Sequence, residues 1–506
     1  MRKQTWLIIV VVLALLAAAC QAAPVSSPTP GTPAATDTPA AGTPTPAQPT
    51  DAPTDAPTEQ PTEEPTAEPT AQPEAVLPST PTGYAELDQA LAPAPDGGTQ
   101  AFAGTTVSIQ AQWPGAEGVN FANTIAAFQA ATGITIQFDQ VPSNHEVVLR
   151  TRIEGGVPPD LAQIAQPAAM ASYARQGQLI DLAPFMDNDR FRDDFAALLN
   201  LIEIDGGIYG VPWKVDVKST VWYPLAAFEA ADYQVPTTWD ELIALSNQIA
   251  ADGANPWCIS IEHGAATGWV GTDWIEDILL RTAPREVYDQ WINHDIPFDD
   301  PQIKNAFDLA GQIFFGENYA YGGPTYINST WVGQTQDPAF EDPPGCYMHK
   351  QALWYSDFFP PREDPAAQAQ PGTDMGVFYF PPIDPQYGNP VLGSGDVFMM
   401  LVDRPEVRAV AQFLATPEAA YAWIQAAGIT SANGNAPAEW YEGNYKASVS
   451  ADIIGNGTTF AFDASDLMPP VVGQGSFWNG IVEWVTASGS NTDQVLADVE
   501  SSWPAN

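Results

Sequence analysis

The chain has 506 residues, with 17 Lys plus Arg against 61 Asp plus Glu and a formal net charge of −44. That balance excludes a nucleic-acid partner, whose affinity comes from neutralised phosphates, and opposes docking on anionic lipid; the acidity itself reads as solubility. About 400 residues remain after the N-terminal segments, more than one ordinary core holds, so two lobes are expected.

Arg2 and Lys3 precede a run from Trp6 to Ala19 in which every residue is apolar. At about 1.5 Å per residue the run is too short for a bilayer core of about 30 Å, and it fits a secretory signal over 1–19. Ala17, Ala18 and Ala19 lead into Cys20, which resembles the lipobox of bacterial lipoproteins, with Ala17 standing where Leu is usual. The resemblance implies an acylated Cys20 as mature N-terminus and a location on the outer face of the cell membrane or in the periplasm. An ordinary secreted protein cleaved at an Ala-x-Ala site is the alternative. From Gln21 to Thr80 the chain is almost wholly Pro, Thr, Ala, Ser, Gln and acids, which cannot bury enough apolar surface to offset chain entropy. A spacer is therefore expected over 20–100.

Past the signal only Cys258 and Cys346 accompany Cys20. Outside the cytoplasm such an even pair reads as a disulfide, with a metal site as the weaker alternative. His145, His263, His294 and His349 show no ligand spacing, and neither a metal nor a cofactor is expected.

Val107, Ile109, Ala111 and Trp113 alternate with polar residues, predicting a strand. A turn at Pro114-Gly115 follows, then Phe121, Ile125 and Phe128 at helical spacing up to Gly133. Ile134, Ile136 and Phe138 alternate again. Strand, helix and strand in this order predict a βαβ unit and a parallel sheet. A helix from Glu146 to Glu154, an extended Asp160–Ile164 and a helix over 168–176 continue the rhythm. Thr238 to Glu241 is a capping box opening a helix towards Gly253. Thr416 before Pro417 starts another, which ends at Gly428. From Asp295 to Pro390 Pro and Gly rise and the strand signals shorten, so a second lobe with long surface loops is expected there.

Several phrases together resemble the extracellular solute-binding proteins of carbohydrate ABC importers, above all the α-glucoside/maltose-type group. They are Phe128-Gln-Ala-Ala-Thr-Gly-Ile134, Arg152-Ile-Glu-Gly-Gly-Val-Pro-Pro-Asp160, Asp205-Gly-Gly-Ile-Tyr-Gly-Val-Pro212, Lys218-Ser-Thr-Val-Trp-Tyr223, Val235-Pro-Thr-Thr-Trp-Asp-Glu-Leu242 and Ala415-Thr-Pro-Glu-Ala-Ala420. Pro256-Trp-Cys-Ile259, Gly268–Asp277 and Gly393-Ser-Gly-Asp396 point to the α-glucoside subgroup. The resemblance covers about residues 104–504. It implies an α/β, two-lobed periplasmic-binding-protein fold of type II, each lobe a mostly parallel sheet flanked by helices, with the ligand in the cleft between. Lobe one is expected over 101–215 with a return near 391–430, lobe two over 216–390, and C-terminal helical segments over 431–506 packing on both. The implied partners are a small carbohydrate and the permease subunits in the membrane, with the chain itself a monomer.

Sugar sites need aromatic faces for the apolar C–H faces of pyranose rings and planar polar groups for the hydroxyls. The chain has 16 Trp, most of which are expected in cores. The resemblance marks Trp354, after a strand over 348–353, and Trp478, where maltose-type relatives place a stacking ring. Trp269 and Trp274 flank Thr272 and Asp273 in a stretch rich in Gly, read as a loop on the cleft wall. Asp216 falls near a family acid at the crossover and Asp396 lies at the return crossover. Glu117 lies in the loop after the first strand, where open α/β sheets present ligands. Gln163 and Gln166 stand at a strand end where maltose-type relatives often carry an aromatic and an acid. Closure by a hinge near 214–217 and 391–396 is expected.

A glycoside hydrolase is the first rival, since that chemistry needs two carboxyls across one bond. The sequence carries no Gly-x-Ser-x-Gly, no His-Glu-x-x-His and no Gly-rich phosphate loop, and a non-enzymatic binder is favoured. A surface lectin or a sensory ligand domain is the second rival. A polyol or polyamine ligand on the same fold is the third.

Overall fold

In the structure, a computed structural model, residues 75–94, 98–361 and 368–505 are described. The signal over 1–19, Cys20 and the spacer as far as residue 74 lie outside the described residues. No helix among the described residues is long and apolar enough to cross a membrane.

The alternation at Val107, Ile109 and Ala111 builds the strand Thr106–Ala111, which runs parallel to Thr135–Gln140 on one side and Leu161–Ile164 on the other. The helix Gly115–Thr132 between them buries Phe121, Ile125 and Phe128. Gly133 ends it at φ 70°, where a Cβ would also come within 2.8 Å of the Ala103 Cβ. Beyond Leu161–Ile164 the sheet continues through Pro390–Met400 and Val211–Val217 to Thr430–Ser431, each step antiparallel. Thr459–Phe462 joins the start of Pro390–Met400 in parallel. The first core draws on residues from Tyr84 to Trp213 and from Val397 to Ala432.

A second sheet orders Met375–Tyr379, Thr220–Pro224, Cys346–Lys350 and Asn255–Trp257. The parallel sheet expected here is found only in the last pair; the other two pairs are antiparallel. Thr220–Pro224 carries the chain into this lobe and Met375–Tyr379 brings it back, the Phe380 N–H donating to the Ser219 carbonyl at 2.9 Å, so the two run in opposite directions. The second core takes residues from Val221 to Phe380, Leu392, and residues from Ala461 to Val499. Chain therefore passes between the cores at 214–220, within Pro390–Met400, and again between Ala432 and Ala461. Cys258 and Cys346 are joined as a disulfide beside the second sheet.

Three expectations change. The spacer read as far as residue 100 stops sooner, because the helix Ala85–Leu91 buries Leu87 and Ala90, with Tyr84 just before it, against Pro405–Leu414. The stretch 295–390 holds, besides its loops, a helix that was not expected: Pro301–Phe314 is capped by Asp300, with Ile303, Ala306, Phe307, Ala310 and Ile313 on its buried face. Its stripe was hidden by the Pro- and Gly-rich segments on either side. The Thr416 hydroxyl does not cap Pro417–Ala427; it donates to the Phe413 carbonyl at 2.8 Å. Thr238 does cap Trp239–Ala251, but the returning Glu241 carboxylate takes the Thr237 N–H.

Candidate ligand-binding site

A cavity with about 840 Å³ of empty space, its open mouth included, lies between the two cores. Its floor is the antiparallel pair formed by two crossing strands, in which Ser394 faces Asp216 and Asp396 faces Lys214. The buried Lys214 ammonium lies 2.9 Å from Asp216, 3.3 Å from Asp396 and 3.7 Å from Glu117. Burial alone would depress the Lys214 pKa, but the three carboxylates outweigh it and hold it well above its ordinary value.

Glu117 belongs to the first turn of the helix Gly115–Thr132 rather than to a loop. A helix N-terminus favours a carboxylate, but complete burial wins and pushes Glu117 up to about 8. Lys214 pulls against this, and Asp357, Asp396 and Asp216 add to it. Asp396 is oriented from three sides: Gln163 donates to it at 2.7 Å, Trp113 at 3.1 Å, and Lys214 pairs with it.

On the second lobe, Lys218 donates to Asp273 at 2.8 Å and to Asp463 at 2.6 Å. Glu276 receives the backbone N–H groups of Ala464 and Ser465. One ammonium cannot hold four neighbouring carboxylates ionised. Asp463 is buried but lies below its ordinary range because Lys218 bonds to it, whereas burial raises Asp273 to about 7 and lifts Glu276 and Asp466 well above theirs. Asp273, Glu276 and Asp463 bring oxygens within 4.8 Å of one another, as a cation site would. The Lys218 ammonium already bonds to two of them.

The second lobe also supplies an aromatic wall. The Trp269 and Trp354 rings lie 6.1 Å apart, and Phe358 packs on both Trp354 and Trp331. Trp478 follows a π-helical turn, Val471–Phe477, and its buried indole N–H has no partner among the described residues.

Of the residues singled out in the sequence, Glu117, Gln166, Asp216, Trp269, Trp354, Asp396 and Trp478 line the cavity. Gln163, Thr272 and Asp273 do not. Gln163 stands behind Asp396, accepting the Gln112 N–H and donating to the carboxylate. The stretch read as a loop is the start of the helix Trp269–Leu280, in which Thr272 and Asp273 are buried behind the lining residues Ser465 and Lys218. The Thr272 hydroxyl donates to the Trp269 carbonyl, and Trp274 lies in the second core. Trp354 sits on a 3-10 turn after the strand Cys346–Lys350. Sequence reasoning missed Trp113, Lys214, Lys218, His263, Asp463 and Asp466, all of which line the cavity. For the lysines a signal existed: two of only 17 basic residues fall four positions apart at the crossover.

Residues 114–421 match the family described as bacterial extracellular solute-binding protein. The chain is 39% identical over 381 residues to the osmoprotective compounds-binding protein GgtB of Synechocystis sp., covering 75% of this chain and 88% of that protein. It is 36% identical over 412 residues to the alpha-glucosides-binding periplasmic protein AglE of Rhizobium meliloti, covering 79% and 87%. The fold is shared with maltose-bound MalE3 of T. maritima, at a TM-score of 0.61 and 15% identity over 78% of this chain and 98% of that one. Two lobes around a lined cavity and these matches over most of the chain agree: it belongs to the family of bacterial extracellular solute-binding proteins.

Proposed function

We propose that this chain is the sugar-binding component of an ABC importer and takes an α-glucoside or a short oligosaccharide between its lobes. The observation that carries the reading is the pairing of two walls. Trp269, Trp354 and Trp478 offer faces from the second lobe, and Glu117, Asp216 and Asp396 stand around Lys214 at the floor. A pyranose places apolar C–H faces and a ring of hydroxyls on the same body, and these two surfaces answer both. The relative named for α-glucosides supports the choice of sugar.

Ligand touching both lobes biases the closed arrangement, which the crossing segments at 214–220 and 391–396 permit, and membrane permeases receive the ligand from it. On this reading an acylated Cys20 and its spacer keep a monomeric receptor at the outer face of the membrane or in the periplasm. The floor carboxylates serve binding rather than hydrolysis, since Asp216 and Asp396 share the ammonium of Lys214.

Intrinsic Trp fluorescence and melting temperature, titrated with maltose, trehalose, sucrose and related α-glucosides, test the assignment. A shift with at least one sugar is expected. If none acts while a polyol or polyamine does, the sugar assignment falls. Turnover of a nitrophenyl α-glucoside would replace it with an enzyme.

A further inference from the structure

One short turn of the second lobe touches the cavity, its aromatic wall and the opposite lobe at once. His263 opens it and Trp269 follows it, with a 3-10 stretch, Gly264–Ala266, between. The Trp269 indole N–H donates to His263 Nδ1 at 3.0 Å, and both residues line the cavity. Since Nδ1 accepts, the ring proton sits on Nε2, and the Pro142 carbonyl of the first lobe acts on the same ring. Next to Pro142, the Ser143 carbonyl receives the Ala265 N–H at 3.2 Å. This backbone hydrogen bond runs between lobes without passing through the crossing strands.

Glycine is required twice for this contact. Gly264 sits at φ 57°, and a Cβ there would come 2.3 Å from the Ser143 oxygen. Gly268 sits at φ 115°, and a Cβ there would come 2.2 Å from the Trp478 oxygen. The turn is thus fitted against Ser143 on one side and against the backbone of a second wall residue on the other. His263 itself is half-buried.

We propose that the turn from His263 to Trp269 is a latch that couples ligand on the aromatic wall to closure of the lobes, with His263 as the positioning residue that holds the Trp269 ring. Closed lobes bring Pro142 and Ser143 to the turn, the turn fixes the histidine, and the histidine fixes the indole plane. By linkage, a ring stacked on Trp269 favours the arrangement in which the Ser143 contact is made. The inference rests on the reading of the cavity as a ligand site between moving lobes.

The test compares His263→Ala, His263→Gln, Trp269→Phe and the double variant His263→Ala/Trp269→Phe in the full chain. Calorimetric affinity is measured for whichever of maltose, trehalose and sucrose binds wild type most tightly, and amide exchange is followed at Ala265. H263A is expected to weaken binding about tenfold, a usual size for coupling between sites, and to abolish the gain in Ala265 protection on adding sugar. H263Q, which keeps an acceptor for the indole, is expected to recover most of the affinity. In the W269F background, which has lost the indole N–H, H263A is expected to add little. Full additivity, or wild-type affinity with unchanged protection in H263A, overturns the latch. If H263A fails to fold, Gly264→Ala replaces it: it leaves the indole bond in place but blocks the Ser143 contact, and wild-type affinity there overturns the latch equally. Should wild type bind none of these three sugars, the sugar reading is decided by the wider ligand titration, and the latch is decided on ligand-free protein. Equal Ala265 exchange in H263A and wild type then overturns it.

Discussion

Lys214 and Lys218 stand on one crossing segment and neutralise opposite lobes. Lys214 pairs with Asp216 and Asp396 at the cavity floor, while Lys218 bonds to Asp273 and Asp463 of the second lobe. Each ammonium is almost wholly buried with more carboxylates around it than it can balance. On the proposed closure of the lobes, the segment that flexes also fixes the charge of both cavity walls.

Removing one of these ammonium groups leaves buried carboxylates without their counter-ion. Breaking a buried pair from one side costs about 3–5 kcal/mol, so Lys218→Met is expected to lower stability by about that amount at neutral pH, read from urea unfolding. The loss is expected to shrink towards pH 4, because carboxylates left buried without Lys218 in the variant take up protons there and no longer need a counter-ion. A variant as stable as wild type at pH 7 would show that the pair contributes nothing.

Glu117 sets the direction of a pH effect. Its pKa lies at about 8 in the fold against an ordinary 4.5, because burial disfavours the anion. Between those values the native state holds a proton that the unfolded chain has released, so stability falls as pH rises through this window. Asp273, raised to about 7, acts in the same sense. The melting temperature is expected to be higher at pH 5.5 than at pH 8, and Glu117→Gln is expected to flatten that slope. A slope left unchanged by Glu117→Gln would show Glu117 to be ionised in the fold.

How far the sequence reveals this molecule depends on the range of the forces involved. The βαβ unit at 106–140 was legible because its alternation and helical spacing are local, and Gly133 stops the helix by its own backbone. The aromatic wall was legible in part, since Trp269, Trp354 and Trp478 stand next to turns that a family resemblance could mark. The floor was not. Trp113 reaches Asp396 across 283 positions, and Lys214 meets Asp396 only through strand register. Thr272 and Asp273 were misplaced for a local reason: Gly268 and Gly271 suggested a loop, whereas Gly268 starts a helix and Gly271 makes room for Ile481.

The aromatic wall predicts graded losses of affinity. Stripping a stacked ring removes about 2 kcal/mol of apolar contact, close to 30-fold in affinity. Trp354→Ala and Trp478→Ala are each expected to weaken sugar binding by about that factor, measured by calorimetry. Trp274→Ala, in the second core, is expected to lower the melting temperature instead. Unchanged affinity in both W354A and W478A would move the ligand off this wall.

The disulfide predicts a stability change of known sign. Cys258 and Cys346 close a loop of 88 residues, for which chain entropy gives about 4–5 kcal/mol. The double variant Cys258→Ala/Cys346→Ala is expected to lose stability of that order in denaturant titration. Both cysteines lie outside the cavity lining, so the folded fraction is expected to keep the wild-type affinity within about threefold, or 0.7 kcal/mol.

Gly473 offers the most specific test of how the site is built. It lies in the π-helical turn that delivers Trp478, and a Cβ there would come 1.9 Å from the Ser465 carbonyl. Ser465 is itself a cavity residue whose hydroxyl donates to Asp463. Alanine at 473 must therefore push the turn away from the acidic wall or distort the Ser465 backbone. Overpacking of this kind costs about 1–3 kcal/mol, and the displacement bears directly on the Trp478 ring. Gly473→Ala is expected to lower the melting temperature and to weaken sugar binding, whereas Gly475→Ala, whose Cβ would lie 3.4 Å from the nearest atom, is expected to change both much less. Equal effects from the two variants, read by calorimetry and thermal melting, would mean that the close approach at Ser465 does not position Trp478.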